Sequence, residues 1–267
     1  MLLTLRQFIV SSLRRLGLLE AVDRIQYYRV RTTSKASASA SLPPSDLAYD
    51  AYGTVDGHTY LSTGLETARL IDEILSRSFP DQRPRRLLEW GCGPGRIVRH
   101  LRPLNWIVCG SDYNPATVRW CRDNIEGVEF SENGLEPPLP YEAESFDAIY
   151  CISVFTHLAK TTQRAWVKEL ARVIRPEGLL IASFHGDASR PFLLPAERRR
   201  YDGGEVVIRG NVKEGSRTFV SYHRPLSVCA LLSPEFEIVT RRTSPISSLG
   251  VHDLYVARRT VQGHSIA

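Results

Sequence analysis

Five cysteines in 267 residues, Cys92, Cys109, Cys121, Cys151 and Cys229, form no CxxC pair and are odd in number. Neither a disulfide framework nor a zinc site is expected, no metal is assigned, and a reducing, cytoplasmic setting fits. A run of the roughly 20 apolar residues that a bilayer needs is also missing. The apolar beginning of the chain is interrupted by Arg6, Arg14 and Arg15 and lacks a small-residue cleavage site, which argues against a secretory signal. Excess charge is absent from most of the chain. Residues 1–36 hold seven Lys and Arg against Glu20 and Asp23, a surplus equal to the +5 of the whole chain, so the remainder is balanced. Nucleic acid is therefore not an expected partner.

What is present is a hydrophobic fraction of 43%, enough for a chain of this length to bury a core. At helical spacing Leu2, Leu5, Phe8, Ile9, Leu13, Leu16 and Leu19 gather on one side, with Arg6, Ser11, Arg14 and Arg15 largely on the other. This amphipathic helix packs on its own domain or on a twin subunit, or lies on an anionic membrane surface; residues 1–30 thus offer a homodimer contact or a peripheral contact with an inner membrane. The serine-rich "TTSKASASASLPPSD" reads as a linker. We therefore divide the chain into an extension at 1–41, a domain at 42–260 and a tail at 261–267. Within the domain a helix from Tyr60 to Phe79 precedes alternating apolar runs and helical stretches: "RRLLEWG", "GRIVRHL", "NWIVCGSD", "NPATVRWCRDN", "VEF", "SFDAIYCISVF", "KTTQRAWVKELARVI" and "GLLIASFHG". Such alternation predicts βαβ units, hence an α/β fold with a mainly parallel sheet and helices on both faces. The rhythm breaks over 186–225, read as an insertion with a hairpin turned through Gly210 to Gly215. "LSVCALL" is a short helix, and "FEIVTRR" and "HDLYVARR" close the sheet as an antiparallel hairpin.

The stretch "LLEWGCGPGRIVRHL" places Gly91, Gly93 and Gly95 where a ligand sits in an open α/β sheet, at the carboxyl end of the first strand. Its GxGxG spacing departs from the GxGxxG of a dinucleotide site, and Arg96-Ile97 supplies no Walker ending, so phosphate binding is disfavoured. Asp112 ends the next strand, where a carboxylate can accept two hydrogen bonds from vicinal ribose hydroxyls. It can instead, or also, cap the helix that begins at "NPATVRW". Asn133, Gly134 and Leu135, past the third strand, can meet an adenine edge.

These motifs together resemble class I S-adenosylmethionine-dependent methyltransferases: "LLEWGCGPGRIVRHL" the first motif, "GSDYNP" the acidic second, "LEPPLPYEAESFDAIYCISVFTHL" the third and fourth, and "ELARVIRPEGLLIASF" the helix and fifth strand. The resemblance implies a Rossmann-like seven-stranded sheet with an antiparallel last strand. It implies S-adenosylmethionine as donor and S-adenosylhomocysteine as product. Carried over by position, Glu89, Gly91, Cys92, Gly93 and Gly95 surround the methionine end, with Cys92 a small filler rather than a reactive thiol. Asp112 takes the ribose with Tyr113 among the donor-binding residues, Asn133 stands where many relatives carry an acidic residue, Cys151 and Ser153 border the methyl group, and Tyr60 covers the donor.

A hydroxyl acceptor must lose a proton, so a base is expected nearby. His157 in "SVFTHL" and His185 in "ASFHG" follow strand ends, and His223 in "SYHRP" comes from the insertion, the expected cover of the acceptor site. Family members acting on exocyclic amines of nucleic acids typically carry Asp/Asn-Pro-Pro-aromatic after the fourth strand, which "CISVF" does not match. The whole resembles bacterial methyltransferases of glycan or secondary-metabolite pathways. The expected activity is O-methylation of a sugar, glycan precursor or small metabolite. The rivals are a non-catalytic donor-binding regulator and a nicotinamide-dependent oxidoreductase.

Overall fold

Apolar runs too continuous for a sheet with one wet face become strands covered on both sides. The computed structural model describes residues 9–10, 12–33, 42–53, 55–81, 83–101, 105–243 and 250–260. Seven strands form one sheet: β1 (Arg85–Trp90), β2 (Trp106–Asp112), β3 (Glu129–Glu132), β4 (Phe146–Cys151), β5 (Ile174–Phe184), β8 (Phe236–Arg242) and β9 (Asp253–Arg259), in the order β3-β2-β1-β4-β5-β9-β8. Only β9 runs against its neighbours, β5 and β8, so the sheet has an antiparallel last strand. A separate hairpin, β6 (Val207–Arg209) with β7 (Val220–Tyr222), stands on the insertion.

The helices are α1 (Leu19–Thr33), α2 (Ser45–Tyr52), α3 (Gly57–Ser78), α4 (Pro115–Asn124), α5 (Lys160–Val173), α6 (Pro195–Asp202) and α7 (Pro225–Leu232). α3 opens at Asp56, whose side chain accepts the Thr59 N–H, and its stripe Ala68, Ile71, Ile74 and Leu75 packs on Leu87, Tyr150 and Ile181 of the sheet. On the other face Trp166, Val167 and Leu170 of α5 meet Leu88, Ile149 and Leu180. Alternate residues of one strand thus serve opposite cores, as the pleat requires.

Three expectations change. "GRIVRHL" yields turns and one 3₁₀ turn at Val98–His100, because Gly95 still has φ +71 and the chain is extended again at Leu101. The N-terminal helix is broken at Gly17 (φ +68), where the Gly17 N–H donates to Arg14 O and the Leu18 N–H to Leu13 O, a Schellman closure. That break buries Arg14 and leaves Leu16 70% exposed, so the expected single stripe is split. Leu2, Leu5, Arg6, Phe8, Ser11, most of the linker and the tail lie outside the described residues. α2 was not foreseen; it is held between Pro44 and the left-handed Gly53.

α1 packs on its own chain. Asp23 pairs with Arg217 (2.7 Å to Nη2) and accepts the Tyr49 hydroxyl, while the Glu20 carboxylate accepts the Lys213 N–H at 3.0 Å. Among the described residues no helix is long and apolar enough to cross a membrane.

Candidate active site

The carboxyl ends of β1, β2 and β4 open onto a cleft with about 890 Å³ of free space, its mouth included. The glycine loop forms its floor. Gly91 and Cys92 donate their N–H groups to Ser111 O, and Gly93 donates to Asp112 Oδ2 at 2.8 Å. Gly91 is left-handed (φ +73), and a Cβ there would lie 2.4 Å from Val154 Cγ2. Only glycine lets the loop turn beneath the cleft.

Asp112 borders the cleft at the end of β2, and its Oδ1 accepts the Asn114 N–H at 2.9 Å. Burial raises its carboxyl pKa, while the N–H groups of Asn114 and Gly93 favour the charged form. Each oxygen retains a lone pair for a further donor. Asp112 does not cap α4, since the cap is Asn114, whose side chain accepts the Ala116 N–H. Asn133, Gly134 and Leu135 line the next stretch. Asn133 Nδ2 donates to Gly134 O at 2.7 Å, and its buried Oδ1 has no partner. Tyr113 donates its hydroxyl to Gly215 O at 3.1 Å, drawing the insertion over the opening. Ser153, left-handed at φ +64, closes the β4 side, and its Oγ lies 3.1 Å from His252 Nδ1.

Five expected donor residues do not line this cleft. Glu89 is buried beneath the loop, where its Oε2 accepts the Val98 N–H and the Tyr150 hydroxyl; burial raises its pKa to about 8. Cys92 and Cys151 fill apolar clusters at 0% exposure, as small side chains between a strand and a helix do. Gly95 serves packing, because a Cβ there would meet Ile125 Cδ1 at 2.3 Å. Tyr60, 2% exposed, turns inward and donates its hydroxyl to Pro94 O at 2.6 Å, steadying the loop from behind.

The three histidines part company. His157 lines the cleft, with Nδ1 2.7 Å from Phe219 O, and burial lowers its pKa. His185 faces a second cavity instead. His223 is 1% exposed, its Nε2 is 2.9 Å from Gln163 Oε1, and burial depresses its pKa to about 3. Buried between α5 and β7, it reaches neither space.

Sequence reasoning missed Leu47, Asp50, Ala51 and Tyr52 of α2, and Arg217 of the insertion, all of which border the cleft. Tyr52 donates its hydroxyl to Cys92 O at 3.3 Å beneath the Arg96 guanidinium, 4.7 Å from the ring centroid. Nothing local marks α2, whose eight residues are too few to show a convincing stripe. His252 had a signal: it immediately precedes the strand that pairs with β5.

The arrangement is that of an α/β protein with a cleft at the carboxyl ends of its central strands, and known proteins share it. Residues 88–182 match the family model described as "Methyltransferase domain". The chain is 28% identical over 197 residues to ajmaline N-methyltransferase of Rauvolfia serpentina (69% of this chain, 62% of that protein). It is 25% identical over 151 residues to a ubiquinone biosynthesis O-methyltransferase of Xanthomonas axonopodis pv. citri (55% and 60%). In both cases the match spans less than two thirds of the relative's own length. A Burkholderia thailandensis 1,6-didemethyltoxoflavin-N1-methyltransferase, solved with S-adenosylhomocysteine, shares the fold at TM-score 0.53 and 19% identity, over 73% of this chain and 78% of that one. Residues 88–182 thus match a methyltransferase domain, and the chain is similar to S-adenosylmethionine-dependent methyltransferases and shares their fold. Its cofactor is S-adenosylmethionine, and the Gly91 turn, Asp112 and the open Asn133 Oδ1 fit that molecule's loop, ribose and amine requirements.

Proposed function

We propose that the protein transfers the methyl group of S-adenosylmethionine to a hydroxyl of a sugar, glycan precursor or other small metabolite. The observation that carries this reading is a neutral histidine, His157, on the wall of the donor cleft. With Nδ1 donating to the Phe219 carbonyl, Nε2 keeps the lone pair and serves as proton acceptor. When bound, the cofactor supplies an electrophilic methyl on a sulfonium. Gly91, Gly93, Asp112, Tyr113, Asn133, Gly134, Leu135 and Ser153 hold and orient it, and α2 with Gly215 and Arg217 keeps water out. Relatives that methylate nitrogen and oxygen both resemble this chain, so likeness does not choose the acceptor atom. A base beside the donor does, because a hydroxyl must be deprotonated as it attacks.

In this reading residues 42–260 are the catalytic domain, 186–225 cover the acceptor side, and the enzyme is cytoplasmic. Among the described residues of 1–30, Leu16, Ile25 and Tyr28 leave an apolar flank for a second copy or a membrane surface. Sedimentation, and flotation with and without residues 1–36, tell these apart. The deciding experiment is an acceptor screen coupled to S-adenosylhomocysteine release, using polar-metabolite, glycan and lipid fractions. Release with a hydroxylated pool is expected. Donor binding without release from any pool would replace this reading by that of a regulatory binding protein.

A further inference from the structure

A second cavity, larger than the donor cleft at about 1530 Å³ of free space, opens between the N-terminal segment and the insertion. Its wall carries Arg14, Arg15, Arg200 and Arg209 against one lining carboxylate, Glu197, with Arg200 also paired to Glu205 at 2.8 Å. Glu197 is already engaged. It binds Arg209 through both oxygens, at 3.0 Å to Nε and 2.6 Å to Nη2, and accepts the Leu194 N–H at 2.8 Å.

Arg14 has no such partner. It is 9% exposed, and Nη1 donates to the Arg209 and Gly210 carbonyls at 2.6 and 3.2 Å, while its Nε is buried without an acceptor. Burial lowers its pKa, and the neighbouring Arg209 charge lowers it further. A buried guanidinium short of acceptors and beside a like charge is costly unless an anion meets it. Arginine forks suit planar or tetrahedral oxyanions best, because they donate two parallel hydrogen bonds.

The cavity also adjoins the donor cleft. His185 on its wall stacks on Tyr222 and lies edge-on to His252 at 4.3 Å, and His252 Nδ1 is 3.1 Å from Ser153 Oγ in the donor cleft. Two imidazoles separate the spaces. His185 Nδ1 has no hydrogen-bond partner, and burial keeps the ring neutral.

We propose that this second cavity binds the oxyanion, phosphate or carboxylate, of a small-molecule ligand, at a site set apart from the donor cleft by His185 and His252. The inference stands beside the methyltransferase reading and does not depend on it.

Calorimetric titration of the full chain with inorganic phosphate and, separately, with malonate tests it, at matched ionic strength in chloride. Saturable binding of at least one is expected, and which one binds assigns the oxyanion. Arg14→Gln should weaken it about tenfold, the loss of roughly one charge-assisted hydrogen bond. The Arg15→Gln/Arg200→Gln double variant, altered only at the cavity's exposed rim, should weaken it as well without a change in thermal unfolding. Titration with S-adenosylmethionine in the same samples should be unchanged. Absence of saturable binding of both anions, or binding indifferent to both variants, overturns the proposal. If the parent fails to bind S-adenosylmethionine, it is the methyltransferase reading that falls.

Discussion

In the proposed reaction Asp112 and His157 divide the work at the scale of single residues. Asp112 organises the loop by accepting the Gly93 and Asn114 N–H groups while facing the cleft. Its replacement by Ala should weaken donor affinity by about 10- to 100-fold, as expected for losing a hydrogen bond to a charged group, and Asp112→Asn should fall between. Calorimetry with S-adenosylmethionine measures both; affinity equal to the parent in both variants would displace the ribose assignment. For His157 the expected signature is a split. His157→Gln should lower kcat by about 10²- to 10⁴-fold with donor affinity retained. Because burial lowers the His157 pKa, the base is neutral at pH 7 and the acid limb of kcat should lie below pH 6.5. A limb that survives in His157→Gln would assign it to another group. Asp112 was legible because its position depends only on where a strand ends. Glu89, Cys151 and Tyr60 were not, since a side chain's direction, into the cleft or beneath the loop, is set by neighbours far away in the chain.

At the scale of elements, α1 is tied to the insertion and through it to the cleft. Asp23 holds Arg217, whose guanidinium also lies 4.6 Å from the Tyr49 ring centroid and borders the donor cleft. The pair is about one quarter exposed on each side, so its contribution is near 1 kcal/mol at most. Asp23→Asn should therefore leave global stability almost unchanged yet speed amide exchange in the 211–219 connection between β6 and β7. Exchange mass spectrometry reads this; identical protection would show that the connection is held without the Asp23–Arg217 pair. Most strands and long helices were legible because their periods repeat over many residues. The failures were short: α2, the 3₁₀ turn after the glycine loop and the break at Gly17 each depend on one or two backbone angles.

For the whole molecule, four histidines are held neutral by burial. His223 and His252 are depressed to about 3, His185 well below its usual value, and His157 in the same direction. A folded-state pKa below the unfolded one stabilises above pH 6.5, and the contribution is lost as pH falls below it. Glu89, raised to about 8, acts oppositely: its contribution is present at low pH and lost as pH rises through about 8. Four groups outweigh one. Urea midpoints should decline steadily from pH 6.5 to 4 and slip modestly from pH 7 to 8, where the histidines no longer titrate and the Glu89 contribution is being lost; a midpoint constant to pH 4 would mean the histidines are solvated. By itself the sequence determined the α/β class, the strand that carries the glycine loop and the acid that follows it, because these rest on local periodicity and chain order. Tertiary structure alone decided which histidine reaches the donor cleft, which glycines serve packing, and that Arg14 and Arg209 meet across 195 residues. Such meetings depend on how distant segments pack, and no local pattern encodes that.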